Sequence, residues 1–107
     1  MIWPFRPRER IVAAAVQIDG LTISLLPPAR HAECLRLAAA MLGGAALVPD
    51  GTSIIVEPRV ITPDRQGFVT SRQRFVGREE GKEIARKAGQ LLPTHSSSQH
   101  LFSEDLW

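Results

Sequence analysis

The chain has no tyrosine, one cysteine and, among its 13 basic residues, only two lysines. A lone cysteine, Cys34, excludes a disulfide framework and a thiolate metal site, and an intracellular protein is the simplest expectation. The three imidazoles, His31, His95 and His100, fall at no spacing that a zinc motif uses. No apolar run approaches the roughly 20 residues of a membrane span. The longest, residues 11–16 and 38–48, are short or broken by glycine. Gly43-Gly44 has neither Walker nor dinucleotide spacing. Glu79, Glu80 and Glu83 crowd one helix start, which explains them better than an acid–base pair. Cys34 falls mid-helix on an apolar side, as an inert core thiol does. The pattern therefore holds no reaction centre, metal site or cofactor motif, and no enzymatic activity is expected.

What is present is arginine: eleven residues, against a formal net charge of only +2. The charge is too small to argue for nucleic acid. The bias toward arginine suits planar, bidentate recognition of phosphate, and also follows from G·C-rich coding. A length of 107 residues and a hydrophobic content of 44% fit a single domain, 1–107, with its own core. A domain this small gains from oligomerisation. Residues 1–10 are basic, contain two prolines, and read as an N-terminal extension. The apolar stretch after them has no convincing cleavage site, so no signal peptide is expected.

Residues 11–18 read as an apolar strand, Asp19-Gly20 as a tight turn, and 21–25 as an alternating strand stopped by Pro27-Pro28. Residues 30–42 carry a broad apolar face and read as a helix ended by Gly43-Gly44. Arg30 and His31 sit in its first turn, where positive charge opposes the macrodipole. Residues 43–52 read as a loop turning at Pro49-Asp50-Gly51, 53–57 as a short strand ended by Pro58, and 60–67 as an irregular linker. A short strand follows at 68–70, then a turn at 71–74, then Phe75-Val76 leading into a helix at 78–88. Early glutamates, late Arg86-Lys87 and a stop at Gly89 mark that helix. Residues 92–100, with Ser96-Ser97-Ser98, read as a flexible connection. The last seven residues hold Leu101, Phe102, Leu106 and Trp107 and are expected to dock. The expected fold is α+β: a small, largely antiparallel sheet with two helices packed on one face.

The stretch from Gly67 to Gly81 carries the candidate chemistry. Two aromatics and three arginines fall within eleven positions, directly before a helix N-terminus. Phe68, Phe75, Arg72, Arg74 and Arg78, with the free N–H groups at Gly77 and with Arg30-His31 as a second contributor, would suit a flat base bearing phosphates. The plainer reading makes the phenylalanines core and the arginines solvated surface. Phe68→Ala is expected to weaken binding while leaving the fold mostly intact.

Gly67-Phe68, Thr70-Ser71, Arg74-Phe75-Val76, Arg78-Glu79-Glu80, Ile84-Ala85, Ala88-Gly89-Gln90 and the closing residues 101–107 together resemble the first type of phage Thoeris anti-defence proteins. The N-terminal hairpin and Pro28-Ala29-Arg30-His31 fit the same pattern. The resemblance implies an α+β protein that dimerises and assembles to hexamers in the host bacterial cytoplasm. It implies capture, without cleavage, of cyclic ADP-ribose isomers made by TIR-domain enzymes. Some relatives hold cyclic oligonucleotides at a separate site. Phe68 would be the base-stacking residue. The position before Arg78, usually Asn or Asp in the pattern, would contact ligand, and here it is Gly77. The alternative readings are a small arginine-rich phage protein that binds nucleic acid, and one that inhibits a protein partner through residues 102–107.

Overall fold

The computed structural model describes residues 7–18, 21–42, 45–47, 54–56, 59–61 and 65–107. Two antiparallel sheets organise them. The larger has the strand order β2-β1-β6-β7, from β1 (Ile11–Ile18), β2 (Leu21–Ser24), β6 (Gln66–Thr70) and β7 (Phe75–Val76). The smaller runs β3-β4-β5, from β3 (Ala45–Leu47), β4 (Ile54–Val56) and β5 (Arg59–Ile61). The helices are α1 (His31–Leu42) and α2 (Arg78–Lys87), and a short 3-10 turn spans Ser103–Asp105.

β1 is the spine of the large sheet. It pairs with β2 from Ile18↔Leu21 to Ala15↔Ser24, and with β6 through Ala14↔Phe68 and Ala15↔Gly67. An irregularity between Ile11 and Ala13 shifts the register at its start. β1 is buried nearly throughout, as a strand covered on both faces requires. Ala14, Val16 and Ile18 join Ile23, Phe68 and Val76 in one core, completed by Cys34, Leu35 and Ala38 of α1 and Ala85 of α2. Alanine on β1 lets α1 come close enough for the Cys34 thiol to donate to the Ala14 carbonyl at 3.4 Å. Both helices pack against this apolar face, the expected α+β arrangement.

The C-terminal segment closes the core. Leu101 is fully buried, Leu106 nearly so, and Trp107 packs against the same cluster. Its anchor is the Asp105 carboxylate. Oδ1 accepts from the Ser96 N–H at 2.8 Å, and Oδ2 accepts from the Phe102 N–H at 2.9 Å and pairs with Lys82 Nζ at 3.3 Å. Burial alone would raise the Asp105 pKa, but these donors outweigh it and hold the carboxyl below its ordinary range. Residues 92–100, expected as a flexible connection, are tied at Ser96, whose carbonyl also accepts from Lys82 at 2.9 Å.

Two glycines are set by close approach. A Cβ on Gly67 would lie 2.1 Å from the Val76 carbonyl oxygen and 2.7 Å from the Phe75 ring. A Cβ on Gly81 would crowd Phe68 and Leu101 at 3.3 Å. The glycine that weakens α2 by roughly 1 kcal/mol relative to alanine thus lets that helix sit on the core. Gly89 turns the chain at φ +70°, and the Gln90 side chain then bonds both the N–H and the carbonyl of Ile11 at 2.8 Å.

Several expectations shift. β3 occupies part of the expected loop 43–52, and β5 part of the expected linker 60–67. Each is a three-residue strand whose identity comes from pairing with β4, and local composition does not reveal such pairing. β6 starts earlier, at Gln66, and Phe75-Val76 is a strand paired to it. The turns expected at residues 19–20, 43–44 and 49–51, the stop at Pro58 and most of the N-terminal extension lie outside the described residues.

Candidate functional site

The eight residues nominated from sequence divide between two places. The division begins with strand parity. Phe68 pairs with Val76 and Phe75 with Val69, so the two phenylalanines point to opposite faces of the sheet. Phe75 is half-buried over Gly67, and Phe68 is wholly inside the core. They do not form one aromatic platform.

The first group gathers where both helices begin. His31 opens α1, Arg78 opens α2, and Gly67 and Phe68 of β6 lie against His31. The His31 ring meets Phe68 edge-on, with centroids 5.0 Å apart, and its Nε2 lies 2.7 Å from the Gly67 carbonyl oxygen. In the neutral ring that nitrogen carries the proton and donates. Burial, reinforced by the positive charge of Arg78, lowers the His31 pKa to about 4 despite the Gly67 carbonyl and the Glu104 carboxylate. At neutral pH His31 is therefore uncharged.

Arg30 and Arg78 tie this group to the C-terminal segment. Arg30 donates to the Trp107 carbonyl oxygen and to Ser103 Oγ, the latter at 3.3 Å, and lies 3.8 Å from Glu104. Trp107 Nε1 donates to the Ala29 carbonyl at 3.3 Å. Arg78 donates to the Leu101 carbonyl at 2.9 Å, the Leu101 N–H returns a bond to the Arg78 carbonyl, and the guanidinium lies 5.3 Å from the Phe102 ring centroid. Burial lowers the Arg78 pKa, partly offset by the Glu104 carboxylate. Gly77 precedes α2 in an extended conformation, with no side-chain cap, and a Cβ there would meet nothing within 4 Å.

The second group is a charge network around the β6–β7 turn. Glu9 receives Arg74 Nε at 2.7 Å and Nη2 at 2.9 Å, and accepts from Thr70 Oγ1 at 2.5 Å. Arg74 Nη1 also meets Glu80 at 2.8 Å. The bond from Arg74, with that from Thr70, holds the Glu9 carboxyl down at about 2. Arg72 donates to the Pro7 carbonyl at 3.3 Å and lies 3.9 Å from Glu9. A 500 Å³ cavity beside these residues is lined by both arginines, Arg8 and Lys87, and also by Glu9, Glu80 and Glu83. Glu9 and Glu80 already take the fork of Arg74 that a phosphate would need.

Sequence reasoning gives no role to Glu9, Lys82 and Asp105, and gives Phe102 one only within the docking or partner-gripping segment. Glu9 lay in an extension read as merely basic. Asp105 stood in a tail read for its apolar residues, although a carboxylate among Leu101, Leu106 and Trp107 was itself a signal of a buried pair. A larger cavity, 690 Å³, lies between α2 and residues 95–99, lined in part by Lys82, Arg86, His95 and Ser96, and contains none of the nominated residues. Among the described residues no three His, Cys, Asp or Glu side chains converge as a metal-binding set. Cys34 is buried and its thiol pKa is raised by that burial, so it is no ready nucleophile.

Residues 10–107 match the model of a protein family described as phage T4 y16D protein. No curated protein and no solved structure matches the chain.

Proposed function

The chain belongs to the phage T4 y16D protein family, and from that premise we propose that it binds and sequesters a cyclic ADP-ribose-type immune signal without cleaving it. The free signal falls, and the TIR-based Thoeris effector of the infected cell stays off. The protein acts in the host cytoplasm, as a homodimer that assembles further to a hexamer.

One observation carries this reading: Arg30, just before α1, and Arg78, at the start of α2, both bind the C-terminal segment, and the charge of Arg78 is felt by His31. Helix N–H groups and guanidiniums together make an electropositive corner suited to a pyrophosphate. The neutral His31, buried and bonded to Gly67, braces this corner from inside the core without adding charge. Gly77 leaves open space directly in front of α2, where the related pattern usually places Asn or Asp. The fully buried Phe68 serves as the floor under His31, not as an exposed stacking ring. The outer edge of β2 and the exposed Leu21 and Leu26 supply surface for association between copies. The nucleic-acid reading is weaker, because Arg74, in the most basic stretch, is already paired with Glu9 and Glu80.

Isothermal titration with cyclic ADP-ribose isomers and cyclic oligonucleotides tests the proposal, followed by release of the ligand by heat and its chromatography. Tight binding with intact ligand recovered is expected. No binding to any of these sinks the proposal, and a cleaved product would reveal an active site. Affinity for DNA or RNA that falls steeply with salt would favour the nucleic-acid reading.

A further inference from the structure

Phe102 stands apart from the residues that dock its own segment. Leu101 and Leu106 belong to the core and Trp107 packs against it, whereas Phe102 stays 39% exposed and contributes nothing to that cluster. Among the described residues it is the one exposed phenylalanine or tryptophan. Its backbone is nonetheless fixed on both sides. Leu101 exchanges two bonds with Arg78, and the Phe102 N–H is held by the buried Asp105 carboxylate at 2.9 Å. The Arg78 guanidinium lies 5.3 Å from the ring centroid, and Arg30 reaches the next two residues, Ser103 and Glu104.

A ring that is exposed and held by its backbone, with the Arg78 guanidinium over one face and Arg30 bonded to the neighbouring Ser103, offers its other face as a stacking platform beside phosphate-binding groups. We propose that Phe102 is the base-stacking residue of the nucleotide site, with Arg78 fixing the ring and Arg78 and Arg30 meeting the phosphates. This inference rests on the nucleotide-binding reading above and assigns it a residue the sequence pattern did not nominate. The chemistry requires a flat heteroaromatic base joined to phosphate. Neither cavity beside α2 is lined by a phenylalanine or tryptophan, so neither offers the same combination.

The test compares the parent chain with Phe102→Ala, Phe102→Leu and Phe102→Trp, each titrated calorimetrically with cyclic ADP-ribose isomers, with thermal unfolding as the check on folding. The alanine and leucine variants should raise Kd on the order of tenfold or more, and the tryptophan variant should bind close to the parent. Because the ring lies outside the core, all three should unfold near the parent temperature. If the parent binds and both alanine and leucine bind equally well, the Phe102 assignment is overturned and the binding reading survives. If leucine restores what alanine loses, the ring acts by apolar contact and stacking is overturned. If the parent binds no isomer, both the assignment and the reading beneath it fall.

Discussion

His31 should make the protein acid-sensitive in a window whose upper part no paired carboxylate shares. The buried ring donates to Gly67 and faces the Arg78 cation from α2 and the Glu104 carboxylate from the C-terminal segment. Its pKa falls from an ordinary 6.5 to about 4. Between those values the unfolded chain binds a proton that the folded chain refuses, so stability falls as pH drops from 6.5. The loss is complete below the folded value. At about 1.4 kcal/mol per pH unit, a pKa lowered this far corresponds to about 3 kcal/mol. That is a large share of the roughly 5–15 kcal/mol that holds a small domain together. Glu9 and Asp105 are depressed carboxylates, so their contributions begin to fade only near the ordinary carboxylate range, 4.5 and 3.8. The upper part of the window therefore belongs to His31.

Urea unfolding of the parent and of His31→Gln across that window, followed by circular dichroism, reads the effect. The variant should be less stable than the parent at neutral pH, because an amide cannot reproduce the ring contact with Phe68. Its stability should change much less between pH 6.5 and pH 4, so the two curves converge as acid is added. The imidazole resonance of His31, followed by NMR, should titrate near 4. Parallel stability curves, or a His31 resonance titrating at its ordinary value, would refute the placement of this ring in the core.

Three further perturbations follow from the same geometry. Phe68→Ala removes a fully buried ring and should cost about 3–5 kcal/mol in urea unfolding, in place of the mild effect expected when the ring was read as a surface stacker; a loss under about 1 kcal/mol would place Phe68 outside the core. Asp105→Asn leaves Lys82 facing a neutral amide in a site where the two side chains are 12% and 4% exposed, and should cost about 3 kcal/mol by thermal or urea unfolding. The parent should also lose stability as pH falls from 3.8 through the depressed Asp105 pKa, and an unchanged acid limb in the variant would count against this pairing. Gly77→Asn adds a side chain into open space at an extended N-cap position and should raise stability by a few tenths of a kcal/mol while tightening binding of cyclic ADP-ribose isomers in calorimetry. Weaker binding with an intact fold would remove Gly77 from the site.

The first hairpin, both helices and the α+β class were legible because their signals are local. The alternation and turn residues of 11–25, the broad apolar face of α1 and the charge order along α2 each act within a few residues. The second sheet was not legible. β3, β4 and β5 are three residues each, and such strands exist through their partners. The candidate site was legible in part for the same reason. Arg30, His31 and Arg78 were noticed because charge at a helix start conflicts with, or stands out against, local helix chemistry. What joins them is the C-terminal segment, about 25 residues further along the chain from Arg78 and more than 70 from Arg30. Pattern reading over short windows cannot supply that contact.

Parity decided the rest. Phe68 and Phe75 are close in sequence and attached to adjacent strands, which made them look like one aromatic pair. The β6–β7 pairing sets Phe68 opposite Val76, and a strand alternates its faces at every residue, so Phe75 had to point away. Gly67 then becomes explicable: it carries no side chain because Phe75 and the Val76 carbonyl fill that volume on the far face. With one ring committed to the core and the other packed over Gly67, the stacking proposed above needs a ring that the core does not use. Phe102 meets that condition because Asp105 and Arg78 fix its backbone from two sides while leaving the ring at the surface. A buried salt bridge between Lys82 and Asp105, weak as a net source of stability, is well suited to fixing one conformation of such a segment.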